Sequence, residues 1–374
     1  MNEERAYWLA WSQISGVGAV LLQRIQAHFG SLSAAWTAPP DELAAVEGIG
    51  LLTASSISAE RLKLNPAHLL ETHQKRNPCF VTPADSDYPK ILLEIPDAPP
   101  ILYYRGQSRV LKTLDQHCAI ALVGTRHPSD YGRRWTRKLS TTLAQNGFSV
   151  ISGLADGIDA EAHRSCIEVG GTTIAVLGTG VDVVYPWKNR KLYDQLLETG
   201  LAISEYPAGT QPDRIHFPRR NRIVAGLSRA VLVIEAPLRS GALITANLAN
   251  DYGRDVYALP GSLDNEKSEG CLSLISKGAQ IVLGEAELLK QLGTLPTLDR
   301  PQTAPLPLMD LSQELAQVLQ TIQQMEERSS HPAIPLDLII QQSQLPTATV
   351  TGSLLQLEML GLVVQVPGMR YQIS

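Results

Sequence analysis

The sequence is poor in cysteine, with four in 374 residues, and no two of them form a Cys-x-x-Cys pair. This spacing argues against a disulfide framework and a structural zinc site, and it is typical of the reducing cytoplasm. No apolar run reaches the ~18 residues that a membrane-spanning helix requires. The acidic first residues lack a following apolar segment, so we expect no signal peptide, no membrane partner and a cytoplasmic protein.

Two common nucleotide-binding motifs are also missing. No Gly-x-Gly-x-x-Gly follows the first strand of the predicted sheet, which argues against NAD. No Gly-x-x-x-x-Gly-Lys-Ser/Thr is present, which argues against P-loop ATP hydrolysis. His163 has no companion at metal-ligand spacing. We therefore expect neither a cofactor nor a metal.

The net charge of −5 does not indicate a nucleic-acid partner, but positive charge is unevenly distributed. Pro-rich stretches at 77–100 and 294–310 read as extended connectors, and they divide the chain into predicted domains at 1–80, 81–293 and 311–374. The basic residues of the middle domain form three clusters: Arg126, Arg133, Arg134, Arg137 and Lys138; Lys188, Arg190 and Lys191; and Arg214, Arg219, Arg220 and Arg222. Such clusters indicate an anion site, although solvated helix faces would give the same pattern.

Six short apolar runs alternate with helix-like segments in the middle domain. They are residues 119–123, 149–151, 173–177, 201–203, 230–234 and 256–259. Continuous apolar strands alternating with helices are typical of a parallel sheet covered on both faces. The sequence therefore predicts an α/β fold with a Rossmann-like, doubly wound and mostly parallel sheet, whose ligands bind beyond the carboxyl ends of the strands.

Small residues follow the predicted strands and are interleaved with arginine. The first strand is followed by Gly124-Thr125-Arg126, the second by Ser152-Gly153 and the fifth by Ser240-Gly241. Small residues let backbone amides approach an anion, and arginine adds planar donors for phosphate oxygens. The recurrence of this pattern at successive strand ends predicts a phosphate or polyanion site.

An ordered set of motifs across residues 85–285 resembles the DNA-processing protein A (DprA/Smf) family. The motifs are Gly124-Thr125-Arg126, Ser152 to Asp159, Tyr185-Pro186, Ser204 to Pro207, Phe217 to Ser228, Ser240-Gly241 and Pro260-Gly261. The resemblance implies a single-stranded DNA-binding recombination mediator, not an enzyme, that protects incoming DNA and loads the RecA recombinase during natural transformation. It also implies a homodimer formed through the Rossmann-like domain. One departure is Leu272, where many relatives carry a polar residue.

The resemblance implies that DNA is contacted by Arg126, Arg220, Asn221, Arg222 and the basic stretch after Tyr185-Pro186, which holds Lys188 and Arg190. The residues around the strand ends complete the predicted DNA-contact set: Gly124, Thr125, Ser152, Gly153, Arg219, Arg239, Ser240 and Gly241. We expect Arg126, Arg220 and Arg222 to be exposed and to face one DNA backbone. The alternative is that these arginines pair structurally with a carboxylate of Glu205, Glu235 or Asp156.

Four residues near these turns have a catalytic interpretation as well as a structural one. Asp159 and His163 could form an acid–base pair, but a helix-start cap with an orienting hydrogen bond is favoured. Ser152 and Ser240 could be nucleophiles, but neither lies in a Gly-x-Ser-x-Gly elbow. Turn residues that hold an anion are the favoured interpretation of both serines.

Two aromatic and two acidic residues also lie within the basic stretches. Trp187 and Phe217 could stack on bases or pack inside the protein. Glu205 and Glu235 follow predicted strands, where they could orient arginines or mark a catalytic ancestry.

The first 80 residues contain Gly16-Val17-Gly18 and Gly48-Ile49-Gly50, each between helix-like segments. This is the helix-hairpin-helix pattern, whose backbone amides can hold a DNA phosphate. No basic residue follows the second hairpin before Arg61, and a small helical packing module explains the pattern equally well.

The last segment predicts a winged helix, from helices at Leu311–Met325, Leu336–Ser343 and Thr347–Leu360 and a hairpin at 363–373. The third helix would normally contact DNA, yet it contains no Lys or Arg. Residues 294–374 carry more acidic than basic side chains, so attraction to phosphate is missing. We therefore expect a protein-contact or regulatory module.

Two other functions remain as alternatives. The first is a nucleotide-processing hydrolase on a related phosphoribohydrolase-type Rossmann fold. The Pro-Gly-Gly-x-Gly-Thr-x-x-Glu motif of that class is absent, and Ser240 to Thr245 stands in its place. The second is an architectural duplex-DNA binder that uses the hairpins and the winged helix, which their lack of basic residues disfavours.

Overall fold

The computed structural model describes residues 2–115, 118–293, 313–328, 334–359, 362–366 and 370–373. The chain divides into two compact units, of residues 1–298 and 299–374. The predicted linker at 294–310 lies outside the described residues, and the predicted domain boundaries stay a prediction.

Six helices form the first part of the first unit. They are α1 (Asn2–Trp11), α2 (Ala19–Phe29), α3 (Leu32–Thr37), α4 (Pro40–Ala44), α5 (Leu51–Arg61) and α6 (Pro66–Arg76). Each predicted Gly-x-Gly turn lies between two helices, and Gly16 and Gly48 have positive φ angles of 79° and 90°. Glycine adopts this conformation without the clash that a Cβ would cause. The helical hairpins are therefore present.

Arg61, the first basic residue after the second hairpin in the sequence, belongs to the packing of this helical region. Its side chain is buried, and its guanidinium donates hydrogen bonds to three backbone carbonyl oxygens, those of Ala35, Trp36 and Ala38. Burial lowers the pKa of Arg61. The Arg61 guanidinium is thus engaged inside the protein and is not available to a phosphate at the second hairpin.

A nine-stranded sheet forms the centre of the first unit. Its strands are β1 (Phe80–Val81), β2 (Leu102–Gly106), β3 (Ala119–Val123), β4 (Ser149–Ser152), β5 (Thr173–Leu177), β6 (Leu201–Ser204), β7 (Ala230–Val233), β8 (Asp255–Ala258) and β9 (Gln280–Ile281). The strand order is β1-β2-β6-β5-β4-β3-β7-β8-β9. Every neighbouring pair from β6 to β9 is parallel, and β2 pairs antiparallel with both β1 and β6. This confirms the α/β fold with a mostly parallel sheet.

Helices cover both faces of the sheet, because the strands are apolar on both sides. The α-helices are α7 (Lys90–Leu93), α8 (Ser108–Thr113), α9 (Asp130–Gln145), α10 (Ile158–Glu168), α11 (Arg190–Thr199), α12 (His216–Gly226), α13 (Gly241–Asp251), α14 (Glu269–Ser276) and α15 (Glu285–Leu292). Two 3-10 helices precede α11 and α14: η1 (Trp187–Asn189) and η2 (Glu266–Ser268).

The interpretation of 77–100 as an extended connector is wrong. This segment contains β1 and α7, and it buries Tyr88, Leu92 and Ile95 in the core of the sheet domain. The Tyr88 hydroxyl donates a hydrogen bond of 2.8 Å to the Pro99 carbonyl oxygen, which holds the Pro-rich chain in place. Proline restricts the backbone but does not prevent its side-chain neighbours from packing.

The second unit is a winged-helix domain with its own apolar core. Its elements are α16 (Gln313–Arg328), β10 (Ile334–Pro335), α17 (Leu336–Ser343), α18 (Thr347–Met359), β11 (Val363–Val366) and β12 (Arg370–Ile373). The strand order is β10-β12-β11, with antiparallel pairs. The predicted helices and hairpin are confirmed within the described residues. None of the described helices is long and apolar enough to cross a membrane.

Candidate nucleic-acid interface

A cleft opens at the carboxyl ends of the parallel strands, around the point where the strand order reverses between β3 and β7. It encloses about 660 Å³, and the residues that follow β3, β4 and β7 contribute to its walls. Such a switch point leaves a crevice, because the helices after β3 and β7 pack on opposite faces of the sheet. The cleft lies where the sequence predicted the ligand.

The Gly124-Thr125-Arg126 turn is fixed by backbone contacts. The Thr125 N–H donates to the Glu235 carbonyl oxygen at 2.7 Å, and the Ile158 N–H donates to the Thr125 carbonyl oxygen at 3.2 Å. A Cβ on Gly124 would lie 2.6 Å from the Ile158 side chain, so only glycine fits this close approach. The turn therefore presents Arg126 from a rigid base, and its side chain is exposed at the cleft.

Arg220 lines the cleft but is largely buried in its floor. It is 6% exposed, and its Nη1 donates to the carbonyl oxygens of Gly153, at 2.6 Å, and Val176. A Cβ on Gly153 would lie 2.6 Å from the Arg220 guanidinium carbon. Burial lowers the pKa of Arg220 to about 10, against the raising effect of the Asp159 carboxylate. The expectation that Arg220 is exposed is wrong, because its guanidinium ties the carboxyl ends of β4 and β5 together.

Arg222 is held by two carboxylates. Its Nη2 lies 2.5 Å from Glu205 Oε2 and its Nε lies 3.4 Å from Asp97 Oδ2, and its side chain is 12% exposed. The expected exposure of Arg222 is therefore also wrong. The pairing with Glu205 agrees with the structural alternative raised by the sequence, and it leaves little of the guanidinium for a ligand.

Three exposed arginines surround the cleft: Arg126, Arg214 and Arg239. Among the residues that the structure describes, no carboxylate forms an ion pair with any of them. Arg214 belongs to the third basic cluster but was not among the residues predicted to contact DNA. The dense basic composition of that cluster is the signal that could have identified it.

The amino terminus of α13 lies in the cleft wall. The Ser240 hydroxyl accepts a hydrogen bond of 3.2 Å from the Ala242 N–H, which caps the helix. Asn221 donates from Nδ2 to the Gly241 carbonyl oxygen at 3.2 Å and so connects α12 to this turn. Helix amino termini attract anions, so Ser240 and Gly241 add to the positive potential of the three arginines.

An aromatic pair forms another part of the wall. The rings of Tyr185 and Phe217 stack with centroids 5.4 Å apart and an angle of 27° between their planes. Both residues line the cleft. The Trp187 side chain is 71% exposed outside that lining, and the Arg190 guanidinium lies 5.7 Å from its ring centroid. Aromatic faces of this kind suit unstacked bases.

The remaining basic candidates lie beside the cleft. Lys188 pairs with Asp156 at 2.9 Å, and Asp156 lines a smaller depression that adjoins the main cleft. Arg190 pairs with Asp194 at 3.0 Å. Arg219 is exposed on α12, outside the residues that line the cleft. The structure thus places Arg126 and Arg239 on the same cleft, whereas Lys188, Arg190 and Arg219 lie around it.

The candidate catalytic residues serve the fold. The Ser152 hydroxyl is buried and donates to the Leu122 carbonyl oxygen at 2.6 Å. Asp159 accepts hydrogen bonds from the N–H groups of Gly153, at 3.1 Å, and Ala155, at 3.4 Å, and burial raises its pKa. His163 bonds the Thr173 hydroxyl through Nδ1 at 2.7 Å. Asp159 and His163 thus have separate partners.

Glu235 does not orient an arginine. It is buried beside the amino terminus of α9, where its carboxylate accepts hydrogen bonds from the Ser129 N–H, at 2.8 Å, and the Ser129 hydroxyl. Gly132 leaves the space for this carboxylate, because a Cβ there would lie 2.4 Å from Glu235 Oε2. The negative charge stabilises the helix start.

No cluster of three or more His, Cys, Asp or Glu side chains in the described part of the chain could hold a metal ion. The cleft walls are instead cationic, aromatic and amide-rich. This arrangement can bind a phosphate backbone with adjacent bases.

Comparisons with known proteins agree with this geometry. Residues 79–293 match the family described as DNA recombination-mediator protein A, and residues 302–369 match the DprA winged helix domain. Protein Smf of Synechocystis is 48% identical, with 99% of each chain covered. The X-ray structure of DNA processing protein A from Streptococcus pneumoniae is 35% identical, with a TM-score of 0.65 over 78% of this chain and 98% of that one.

A second solved structure concerns the single-stranded DNA binding mode of DNA processing protein A from Helicobacter pylori. It is 32% identical, with a TM-score of 0.52 over 57% of this chain and 95% of that one. The full-length similarity to Protein Smf and the two matched domains identify the family. This chain belongs to the DprA/Smf family of DNA recombination-mediator proteins.

Proposed function

We propose that this protein binds single-stranded DNA in the cleft and acts as a recombination mediator during natural transformation. The observation that carries the proposal is the set of exposed, unpaired arginines, Arg126, Arg214 and Arg239, around one cleft at the switch point of the sheet. The related Helicobacter protein binds single-stranded DNA, and its similarity to this chain supports the assignment.

Each part of the cleft has a chemical role in this proposal. The three arginines neutralise successive phosphates, and the amino terminus of α13 at Ser240 and Gly241 adds a favourable dipole. Unpaired bases lie against the Tyr185 and Phe217 rings. A single strand can offer both its phosphates and its base faces to one concave surface, whereas a duplex keeps its bases stacked inside.

Several members of the predicted DNA-contact set act by shaping the cleft. Gly124, Thr125 and Gly153 shape the strand-end turns, and Arg220 fixes the ends of β4 and β5 below them. Arg222 holds Glu205 and Asp97 and keeps those carboxylates away from the bound strand. We assign these two arginines as positioning residues.

The delivery of DNA to RecA is proposed to depend on protein contacts. The strand held in the cleft is protected, and the RecA recombinase is loaded onto it by contact with this protein, which acts as a homodimer. The winged-helix domain serves as a protein-contact or regulatory module, because α18 carries no basic side chain that could attract phosphate.

The protein is proposed to act without enzymatic chemistry of its own. The nucleotide-hydrolase alternative is favoured by one observation, the presence of Asp159 in the cleft lining with a raised pKa. Its carboxylate, however, is already occupied by two backbone N–H groups. The buried Ser152 hydroxyl and the buried His163 are likewise engaged with the fold.

Filter binding with single- and double-stranded oligonucleotides of the same sequence tests the proposal. We expect preference for the single strand and an affinity that falls steeply with salt, since each phosphate contact releases counterions. Arg126→Ala should weaken binding of the single strand, and Arg109→Ala is its matched control. Arg109 is exposed on α8, which follows the antiparallel strand β2 at the opposite edge of the sheet. A preference for duplex, or turnover of nucleotides in a parallel hydrolysis assay, would refute the proposed function.

A further inference from the structure

The exposed face of α9 carries positive charge that is not compensated by acids. Arg133 and Arg134 are exposed, and no carboxylate in the described part of the chain forms an ion pair with either, although Asp130 lies one turn earlier. One turn further on, Arg137 pairs with Glu161, and Lys138 lies 3.6 Å from Glu285. The uncompensated charge is therefore confined to the first two turns of the helix.

These two turns begin at the rim of the cleft. His127 lines the cleft, and the helix that carries Arg133 and Arg134 starts only three residues later. The helix start is anchored to the wall of the cleft, because Ser129 bonds the Glu235 carboxylate and Pro237, two residues further on, lines the cleft. A DNA strand that leaves the cleft past His127 would therefore run onto the first turns of α9.

A second depression lies between α9 and the segment that follows β8. It encloses about 520 Å³ and is lined by Tyr131, Pro260, Gly261, Ser262, Asn265 and Ser268. Backbone hydrogen bonds connect the segments beside the two linings: the Ala236 N–H donates to the Lys267 carbonyl oxygen at 2.7 Å, and the Gly270 N–H donates to the Ala236 carbonyl oxygen at 2.8 Å. Ala236 precedes Pro237 of the cleft, and Lys267 precedes Ser268 of the depression. The two openings are neighbours along one edge of the sheet.

The chemistry of this depression suits a base and not a phosphate. Its lining is neutral: hydroxyls, an amide, backbone groups and the Tyr131 ring, whose hydroxyl donates to the Pro260 carbonyl oxygen at 2.8 Å. The Arg134 guanidinium lies 5.8 Å from the centroid of that ring, so a cation stands beside the opening. Three exposed acids in the segment after β8 would repel a phosphate: Asp264, Glu266 and Glu269.

We propose that α9 and this depression form a second subsite for single-stranded DNA. The inference rests on the proposed function of the cleft and extends it. Nucleotides that leave the cleft place their phosphates on Arg133 and Arg134, and a base enters the depression lined by Tyr131 and Asn265. The subsite lengthens the strand that one protein molecule holds.

The test compares two lengths of oligothymidine on the full-length protein, about 6 and about 20 nucleotides, with the variant Arg133→Gln/Arg134→Gln. The shorter strand fills only the cleft, so we expect its affinity to be unchanged. The longer strand should bind roughly fivefold or more weakly, with a slope of log affinity against log salt lowered by about 1.4, two contacts at about 0.7 each. Melting temperatures confirm that the variant is folded.

Arg109→Gln/Lys112→Gln is the control, because it removes two positive charges from α8 at the opposite edge of the sheet. It should leave both affinities unchanged. Three outcomes would overturn the subsite. The α9 variant could lose the same affinity for both lengths, it could lose none for the longer strand, or the control could lose as much affinity as the α9 variant. Wild-type protein that binds neither strand would overturn the proposed function and the subsite with it.

The base-binding half of the proposal has a separate readout. Replacing the thymines at one end of the longer strand by abasic residues should weaken wild-type binding, and the same replacement should have less effect in Asn265→Leu, which removes the side-chain amide from the lining. Unchanged wild-type affinity for the abasic strand would overturn base binding there.

Discussion

The sharpest prediction separates two arginines that lie in the same basic region of the sequence and act differently. Arg220→Met removes a buried guanidinium, and it leaves the carbonyl oxygens of Gly153 and Val176 without a donor and the Asp159 carboxylate without its neighbouring cation. Breaking such a buried charged network costs about 3–5 kcal/mol. At about 2–4 °C per kcal/mol for a domain of this size, the melting temperature should fall by at least about 6 °C.

Arg126→Ala should have the opposite signature. Its side chain is exposed and unpaired, so stability should change by less than about 0.5 kcal/mol. The slope of log affinity for single-stranded DNA against log salt should fall by about 0.7, because one phosphate contact is lost. The loss should be similar for different sequences, since phosphate contacts carry no base information.

Thermal melts and salt titrations on both variants decide between the two roles. A further variant strengthens the test: Asp159→Asn combined with Arg220→Met should recover part of the lost stability, because the uncompensated buried charge is gone. The reasoning is refuted if Arg126→Ala lowers the melting temperature and keeps the salt slope. It is refuted equally if Arg220→Met lowers the slope and melts like the wild type.

Three more predictions follow from buried groups and from the winged helix. Gly153→Ala should lower the melting temperature about as much as Arg220→Met, because its Cβ would lie 2.6 Å from the Arg220 guanidinium; an unchanged melt would contradict this contact. Burial and Arg220 lower the pKa of His163 to about 3, so below about pH 6.5 the unfolded chain binds a proton that the folded protein does not. The free energy of unfolding should therefore fall by up to about 1.4 kcal/mol for each unit by which the pH drops below about 6.5. The stability advantage of wild type over His163→Gln should shrink as the pH is lowered from 7 to 5, and a constant difference would show that His163 titrates normally. Deletion of residues 308–374 should leave single-stranded DNA affinity within a few-fold, and a loss beyond tenfold in a folded truncation would assign DNA contacts to the winged helix.

The strands of the sheet were predictable because their signal is local. The runs 119–123 and 173–177 coincide with β3 and β5, since a strand buried on both faces reads as continuous apolar sequence. The strands β1 and β9 have only two residues each, and β2 follows Pro99-Pro100, so none of the three stands out in the sequence. Their places in the sheet are fixed by pairing with distant strands.

The position of the cleft was predictable from the sequence, but which of its arginines are exposed and which are buried was not. The order of strands and the Gly-Thr-Arg turn place Arg126 at the switch point. Whether an arginine is buried depends on partners that the fold brings from far along the chain. Arg222 meets Asp97, which is more than a hundred residues away in the sequence, and Arg220 meets the carbonyl oxygens of two separate strands.

The contacts of the carboxylates near the cleft explain how a protein of net charge −5 presents a cationic cleft. Three acids near the cleft are engaged within the protein: Glu235 caps α9, Glu205 holds Arg222, and Asp159 accepts from backbone N–H groups. None of these hydrogen bonds and ion pairs engages Arg126, Arg214 or Arg239. Because a local potential depends on the charges that remain unpaired and exposed, Arg126, Arg214 and Arg239 dominate the field that a DNA strand meets, whatever the sum over the chain.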